Sequence, residues 1–359
     1  MLDDTLLDDP ARLADADAGG LLRLAALSGA QVRSTAETAA EVGLDDLAED
    51  RPRAVVLLTR PGVAVTVARL LGALTGPRCP VPVVISDELP TWVGALDAVF
   101  AHTDDVGDVT LAEGVATACR RGASVVLAVP SEGPVAAAGA GRAKVLAPRV
   151  AVPPALAFAH VFAAGLCTLR ALDLLDFDTE ELAEELDKEA ERAHPSHESL
   201  SNPAKSLALR LAERTPLLWG VDAISAAVAG HASFALGAHA GVPGHVAEYP
   251  QAVVQRGLHR AAASVGSEAD IFADPEDEVG ALLRVFLIST RHNDQGEVFE
   301  RSAMRDLPGA DVVAPGDTVR ADPLLRAAVL AARFDLAAVY LGLAAGTLNG
   351  PGWPALAMS

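Results

Sequence analysis

Short apolar runs that alternate with longer segments are the feature that most limits how this chain can fold. Four runs in the first half are rich in Val, Ile or Ala, at residues 54–58, 81–85, 98–101 and 124–129. Runs of this length are typical of strands buried on both faces of a parallel sheet. The segments between them lie at residues 63–74, 89–95 and 111–121, and the first and last have helical spacing. The pattern predicts a doubly wound parallel sheet of about 150 residues.

The second half repeats this α/β pattern, without a residue-level repeat. From Asn202 onwards, the stretch NPAKSLALRLAERTPLLWG predicts a capped helix that leads into a strand at residues 216–219. Further predicted elements are a helix at 223–240, strands at 283–288 and 311–314, and a long apolar helix at 324–345. Two successive halves of similar size indicate a duplicated architecture.

Changes in composition along the chain predict how it is divided. We expect a first subdomain at residues 1–150, a connecting segment at 151–201 and a second subdomain at 202–359. The connecting segment is first apolar and then strongly acidic at residues 173–191. Leu182 and Leu186 lie four residues apart in the acidic run, which predicts a solvated amphipathic helix.

Charge and composition exclude several classes of partner. The chain has 28 Lys and Arg against 48 Asp and Glu, a net charge of −20, which argues against nucleic acid or an anionic membrane as a partner. The first ten residues, MLDDTLLDDP, lack the basic and apolar regions of a signal peptide. Three cysteines without CxxC spacing indicate thiols in a reducing compartment. We therefore expect a cytoplasmic protein with no metal and no cofactor, and the excess of Ala and Arg indicates a bacterial genome rich in GC.

Four stretches are similar to segments of the SIS (sugar isomerase) family, in particular its bifunctional phosphoglucose/phosphomannose isomerases. They are VPVVISDELPTWVGALDAVFA at 81–101, ACRRGASVVLAVPSEGPVA at 118–136, SNPAKSLALRLAERTPLLWG at 201–220 and FDLAAVYLGLAAGT at 334–347. The resemblance implies two SIS subdomains, each a parallel sheet flanked by helices in three layers. It also implies a homodimer that takes sugar phosphates as substrates.

Two ligand-binding turns of the family are altered in this sequence. The glycine-rich turn after the first strand corresponds to residues 59–62, where Pro61 has no N–H to offer a ligand. The Ser- and Thr-rich phosphate loop corresponds to residues 102–111, where Asp104 and Asp105 stand at its centre and repel an anion. The loop thus resembles the remnant of a phosphate site, although its acidic residues also fit a divalent cation site or a solvated helix N-terminus. The groups still available for ligand binding are Thr59, Arg60, Gly62, His102, Thr103, Gly107 and Ser131.

The catalytic positions implied by the resemblance are vacant. Aldose–ketose isomerisation needs a base and groups that open the ring, for which the family uses a Glu, a His and a Lys. The Glu position falls at Ala238 and the His position at Gln251, and no lysine follows Lys205. The nearest candidates for a relocated site are Glu248, His239, His245 and His231.

The sequence predicts a phosphosugar isomerase-like protein with little or no isomerase activity, which acts in carbohydrate-derivative binding or in assembly. The alternative is an active aldose–ketose isomerase with relocated catalytic residues. The expected small-molecule partner is a sugar phosphate or a related carbohydrate derivative. The helix at 324–345 is apolar nearly all round, which predicts burial on more than one side and, with the resemblance, a homodimer.

Overall fold

Alternating buried runs of Val, Leu and Ala form the two parallel sheets around which the chain is organised. The computed structural model describes residues 2–49, 51–105, 107–264, 283–292 and 294–348. Contacts divide the chain into a first unit, Leu27–Asp187, and a second unit formed by Met1–Ala26 together with Lys188–Ser359. Each unit contains one of the sheets. The predicted α/β class, with parallel sheets flanked by helices, is confirmed.

The sheet of the first unit contains the four predicted strands and a fifth, Lys144–Val145, that the sequence pattern did not predict. Its strands are β1 Ala54–Leu58, β2 Val83–Ser86, β3 Asp97–His102, β4 Ser124–Ala128 and β5 Lys144–Val145. All neighbours are parallel, in the order β2-β1-β3-β4-β5. The strand order reverses between β1 and β3, and ligands of open α/β sheets bind outside the carboxyl ends of the strands at such a point.

Helices cover the sheet of the first unit. They are Ser28–Glu41, Val63–Thr75, Val109–Arg120, Pro134–Ala138 and Phe158–Ala171, with 3-10 turns at Leu44–Glu49 and Pro154–Leu156. A further helix, Thr179–Arg192, begins in this unit and ends in the second. A Cβ at Gly165 would lie 2.3 Å from Leu71 Cδ1, so only glycine lets these two helices pack so closely. Residues 89–95 form turns instead of a helix, because Val93 N bonds to Pro90 O and Asp97 N bonds to Gly94 O.

The predicted acidic amphipathic helix is confirmed as Thr179–Arg192. Its Leu182 and Leu186 are buried, while Glu180 and Asp187 are exposed and form ion pairs with Arg33 at 2.7 and 2.6 Å. The apolar stretch before it forms the buried helix Phe158–Ala171. Apolar spacing in these segments therefore predicted which faces are buried.

The sheet of the second unit has the same strand order as the first four strands of the other sheet. Its strands are β6 Thr215–Gly220, β7 His245–Glu248, β8 Leu283–Ile288 and β9 Asp311–Val313, in the order β7-β6-β8-β9. All neighbours are parallel. The repeated architecture predicted from the sequence is confirmed, but β7 is an element that the sequence pattern did not predict.

Helices also flank the sheet of the second unit. They are Pro10–Ala16, Leu21–Ala25, Pro203–Leu211, Ala223–Ala235, Tyr249–Val254, Arg256–Ser264, Asp294–Asp306 and Pro323–Ala344, with a 3-10 turn at Asp4–Asp8 and a π-helical turn at Leu236–Ala240. Asn202 caps its helix as predicted, because its side-chain oxygen accepts from the N–H groups of Ala204 and Lys205 at 3.0 Å.

A buried lysine joins the first residues of the chain to the second unit. Lys205 is 1% exposed, and its ammonium group donates to the carbonyl oxygens of Leu7, Pro195 and His197 at 2.5, 2.7 and 2.7 Å. Ser199 also donates to the Asp8 carboxylate, from its N–H at 2.8 Å and its hydroxyl at 2.7 Å. These bonds explain why residues 1–26 group with the second sheet. The division expected from the sequence, at residues 150 and 201, instead places residues 1–26 with the first sheet.

The C-terminal helix Pro323–Ala344 is long and apolar enough to cross a membrane by length and composition. Apart from Pro323 it is buried inside the fold, where it packs against the helices Pro203–Leu211 and Ala223–Ala235. This is the environment of a core helix, so the predicted burial on more than one side is confirmed. Because the chain itself covers this helix, its composition gives no separate support for a dimer.

Candidate functional site

An open cleft lies at the carboxyl ends of β1 and β3, where the strand order of the first sheet reverses. Its volume is about 530 Å³. It includes residues from both altered turns, and its lining residues are Arg60, Pro61, Thr103, Asp104, Asp105, Gly107, Asp108 and Val109. We call it the switch-point cleft, and its position is the one at which α/β sheets usually bind ligands.

The arginine of the cleft is already paired. Arg60 Nε lies 2.5 Å from Asp108 Oδ2, and Nη1 donates to the Asp87 carbonyl oxygen at 3.4 Å. The Arg60 side chain is 23% exposed and the Asp108 side chain only 7%. A half-buried ion pair of this kind holds its partners more firmly than a fully solvated one. The charge of Arg60 is therefore compensated within the chain.

Asp108 also caps the helix Val109–Arg120. Its Oδ1 accepts from Leu111 N at 2.9 Å, and its backbone has the extended conformation of an N-cap residue. A carboxylate is favoured at this end of a helix because the N–H groups there carry partial positive charge. The same N–H groups are those that would otherwise face a bound anion.

Asp104 covers the start of the other helix at the cleft, Val63–Thr75. A Cβ at Gly62 would lie 2.2 Å from Asp104 Oδ2, so the carboxylate occupies the space beside the residue that precedes this helix. Gly62 also has a φ of 114°, a conformation that L side chains rarely adopt. The position where a helix N-terminus attracts an anion is thus taken by a carboxylate of the chain itself.

The side chain of His102 holds Asp104 in place. His102 Nε2 lies 3.0 Å from Asp104 Oδ1, and Nδ1 lies 2.5 Å from the Ala128 carbonyl oxygen. The ring therefore lies between two hydrogen-bond acceptors, a carbonyl oxygen and a carboxylate. The ring is buried and therefore fixes the direction of the Asp104 carboxylate.

A second buried histidine of the first unit, His160, remains neutral. Its Nδ1 lies 2.8 Å from Thr35 Oγ1, and the Thr35 hydroxyl donates to the Gln31 carbonyl oxygen at 2.7 Å. The hydroxyl hydrogen is therefore used, so Nδ1 is the donor and Nε2 carries the lone pair. Nε2 has no partner in the described part of the chain. Burial, and to a lesser degree the nearby His102, lowers the pKa of His160 to about 3.

The remaining predicted ligand groups are engaged locally or lie apart. The Thr59 hydroxyl donates to the Ser86 carbonyl oxygen at 3.3 Å, and Asp105 N donates to the Thr103 hydroxyl at 3.1 Å. Gly107 N donates to Asp105 Oδ1 at 2.8 Å. Ser131 is exposed in the loop after β4 and is not one of the cleft-lining residues. Of the seven predicted ligand residues, the cleft lining thus includes Arg60, Thr103 and Gly107.

The predicted catalytic residues lie in the second unit and do not form one group. Glu248 ends β7 and is exposed, in register with Gly220 at the carboxyl end of β6. His245 begins β7, where its Nδ1 accepts from Trp219 Nε1 at 3.2 Å. Residues three apart on a strand point to opposite faces, about 10 Å apart along it.

His239 lies in the π-helical turn Leu236–Ala240 and is buried. Burial lowers its pKa, and neither ring nitrogen has a partner among the described residues. His231 instead bonds to Asp335, with 2.8 Å between Nε2 and Oδ1. Within the described ranges no hydrogen bond or ring contact joins Glu248, His239 and His245. The roles predicted for them as relocated catalytic groups stay predictions.

The reversal point of the second sheet is filled by contacts within the chain. Asp222 Oδ2, after β6, pairs with Arg291 Nε, after β8, at 2.7 Å. The hydroxyls of Ser225 and Thr290 lie 3.2 Å apart. A Cβ at Gly220 would lie 2.1 Å from the backbone N of Ala226, so the strand end and the following helix meet without room for a side chain.

The acidic loop gives no sign of a cation site. In the part of the chain that the structure describes, no group of three or more His, Cys, Asp and Glu side chains is arranged to hold a metal ion. Asp104, Asp105 and Asp108 are directed instead at His102, Gly107 N and Leu111 N. Each carboxylate of the loop therefore has a structural contact of its own.

No family model and no curated protein sequence matches this chain. Solved structures do match. A hypothetical protein from Thermus thermophilus superposes with a TM-score of 0.68 at 13% identity, covering 94% of this chain and 89% of that one. Tagatose-6-phosphate ketose/aldose isomerase from Escherichia coli has a TM-score of 0.61 at 9% identity, covering 94% and 96%. The C-terminal domain of glucosamine-fructose-6-phosphate aminotransferase from Francisella tularensis has a TM-score of 0.58 at 9% identity, and the match covers 91% of this chain and 96% of that one.

These identities are too low to transfer an activity, but the matches extend over nearly the whole of this chain and of each of the three structures. A match over 91–94% of this chain includes both of its sheets. The chain therefore has the SIS fold, that of phosphosugar isomerase-like proteins.

Proposed function

We propose that this chain is a SIS-fold protein that binds a carbohydrate derivative and does not isomerise sugar phosphates. The observation that carries the proposal is the state of the switch-point cleft. Its arginine is paired with Asp108, and Asp104 and Asp108 occupy the starts of both helices that face it. A phosphate group placed there meets carboxylates where the resembled family offers hydroxyl and N–H groups.

Electrostatics oppose phosphate in this cleft. Two like unit charges at about 4 Å repel by about 1 kcal/mol in water and about 4 kcal/mol at the effective dielectric of a protein surface. The lining has three carboxylates, those of Asp104, Asp105 and Asp108, against one arginine, so two negative charges remain once Arg60 is paired with Asp108. Hydroxyl groups, in contrast, donate to carboxylates in short, strong hydrogen bonds. The cleft thus favours a polyhydroxylated ligand whose phosphate, if it has one, lies elsewhere.

The arrangement of titratable groups supports the absence of isomerase activity. A general base must lie within hydrogen-bond reach of the proton that it removes, and a second group must move the proton of the ring oxygen. Glu248 and His245 are at opposite ends of β7, and His239 is buried. Of the lysines, Lys205 is buried against three carbonyl groups, and none follows it in the chain.

The proposal is tested with glucose, fructose and mannose 6-phosphate. We expect no isomerisation in a coupled assay, and thermal shifts below a few degrees at millimolar concentrations. The alternative, an active isomerase, requires turnover that Glu248→Gln abolishes in a protein that folds normally. Glu213→Gln is the matched control, since it neutralises an exposed carboxylate just before the amino end of β6.

Assembly and location complete the proposal. By analogy with the resembled family we expect a homodimer in the cytoplasm, with no membrane or nucleic-acid partner. Light scattering at micromolar concentration should give about twice the 36.8 kDa of one chain. A mass near 36.8 kDa contradicts the proposed dimer and leaves the proposal about the cleft unchanged.

A further inference from the structure

The amino ends of the first sheet bring several arginines and two exposed apolar side chains to one edge. Parallel strands all begin at the same edge, opposite to the switch-point cleft. Arg53 directly precedes β1 and Leu96 directly precedes β3. Arg121 and Arg142 lie shortly before β4 and β5. The topology therefore places these residues together although they are far apart in sequence.

Two of these arginines hold the turn that carries Trp92. Arg53 lies over the Trp92 ring, 5.8 Å from its centroid, and its Nη2 donates to the Trp92 carbonyl oxygen at 3.0 Å. Arg121 Nη1 donates to the carbonyl oxygens of Thr91 and Val93 at 3.0 and 3.3 Å. The turn is fixed from both sides, yet Trp92 remains 45% exposed and Leu96 68% exposed. A partner can bind a fixed apolar side chain with little loss of side-chain freedom.

Three arginines at this edge carry charge that the described chain does not neutralise. Arg120 donates to the Thr117 hydroxyl at 2.8 Å, Arg142 to the Cys119 carbonyl oxygen at 2.7 Å, and Arg121 to carbonyl groups only. No ion pair joins these three to a carboxylate among the described residues. Arg53, in contrast, is paired with the buried carboxylate of Asp97. These three arginines thus carry positive charge on a chain whose net charge is −20.

We propose that this amino-edge surface, formed by Trp92, Leu96, Arg120, Arg121 and Arg142, docks an acidic segment of a different protein that also contributes an apolar side chain. Tryptophan and arginine are the residues that most often dominate binding energy at interfaces. Complementary charge on the partner follows from the three arginines.

Two other occupants fit the surface less well. In a symmetric dimer the same patch meets itself, which sets the arginines of one copy against those of the other. Nucleic acid is repelled by the net charge of −20 on the rest of the chain. A protein docked at this edge leaves the switch-point cleft at the opposite ends of the strands open, so the inference is independent of the proposed ligand.

The experiment identifies the partner and then measures it. A photo-reactive amino acid replaces Leu96 in the full chain, expressed in the organism that encodes it, and the cross-linked segment is located by mass spectrometry. That segment is synthesised as a labelled peptide, and its binding to the purified full chain is measured by fluorescence anisotropy. We expect a segment rich in Asp and Glu with at least one apolar side chain, and binding that weakens as salt is raised.

Surface variants separate docking from stability. We expect Arg120→Glu and Leu96→Ser each to weaken peptide binding at least about tenfold. Both side chains are exposed, so both variants should fold and unfold cooperatively, with only a small loss of thermal stability for Arg120→Glu, which places a carboxylate in the last turn of its helix. Arg69→Glu is the matched control, with the same change of charge at an exposed position on the helix Val63–Thr75, and should change binding less than about twofold.

Several results overturn the inference. In the cross-linking experiment these results are no product, a product with a second copy only, a product with nucleic acid, or a captured segment without acidic residues. In the binding experiment it is a peptide that binds the parent protein and Arg120→Glu with equal affinity.

Discussion

Replacement of Asp104 by asparagine tests whether this carboxylate excludes phosphate from the switch-point cleft. Asparagine has the same shape, so it preserves the contact with Gly62, and its amide can hydrogen-bond to His102 Nε2 as donor or acceptor. The change removes one negative charge and adds an N–H donor at the start of the helix Val63–Thr75, where an anion is favoured. We expect Asp104→Asn to bind inorganic phosphate and hexose 6-phosphates more tightly than the parent protein.

The magnitude follows from the electrostatics. Removing one like charge at about 4 Å relieves about 1 kcal/mol in a fully solvated cleft and about 4 kcal/mol at an effective dielectric of 20. These energies correspond to a decrease in Kd of about 5-fold to about 1,000-fold. The cleft is open to solvent and the Asp104 side chain is 23% exposed, so we expect a value in the lower half of this range, about 5- to 50-fold.

Isothermal titration of the parent protein and of Asp104→Asn with phosphate at low ionic strength measures this gain. Glu113→Gln is the control, since it removes one charge from an exposed position on the helix that follows the same loop. Equal or weaker phosphate binding by a folded Asp104→Asn protein, or the same gain with Glu113→Gln, refutes the role of Asp104.

Three further predictions concern stability. Lys205→Met removes the buried ammonium group that bonds to three backbone carbonyls and should lower the free energy of unfolding by about 3 kcal/mol in urea titrations. An unchanged midpoint contradicts this role. Glu189→Gln breaks the buried ion pair in which Arg333 Nε lies 2.6 Å from Glu189 Oε1. We expect it to lower the free energy of unfolding by about 3–5 kcal/mol in the same measurement, and a loss below about 1 kcal/mol contradicts this role of the pair. His160 has a pKa lowered to about 3, so its neutral form stabilises the fold above pH 6.5, and this contribution decreases as the pH falls towards 3. His160→Gln should reduce the loss of stability between pH 7.5 and 5 by about 2 kcal/mol, and an unchanged pH profile contradicts that assignment.

Most of the sheets could be predicted because their strands are continuous apolar runs. The strands at residues 54–58 and 283–288 match β1 and β8 at both ends, since a run buried on both faces begins and ends where polar residues or turns begin. β7 could not be predicted, because its sequence, HVAE, is only four residues long and only partly apolar. This strand forms because it pairs with β6, which lies about 30 residues earlier in the chain. A pairing over that distance leaves no pattern within the four residues themselves.

The candidate site could be predicted only in part. Sequence comparison with the resembled family identified the loop and its extra carboxylates, but it could not show what those carboxylates contact. Arg60 and Asp108 are 48 residues apart, and the approach of Asp104 to Gly62 depends on two neighbouring strands ending side by side. The role of Lys205 was also hidden, because its acceptor at Leu7 lies 198 residues earlier.

The most direct test of the central claim is exchange of the C2 proton of glucose 6-phosphate and mannose 6-phosphate with solvent deuterium, followed by NMR. Exchange detects proton removal by any base, even when little product forms. We predict exchange no faster than in a sample without protein over a day at micromolar chain concentration. Exchange above that background, lost in a folded Glu248→Gln variant and kept in Glu213→Gln, would contradict the account and establish an active isomerase.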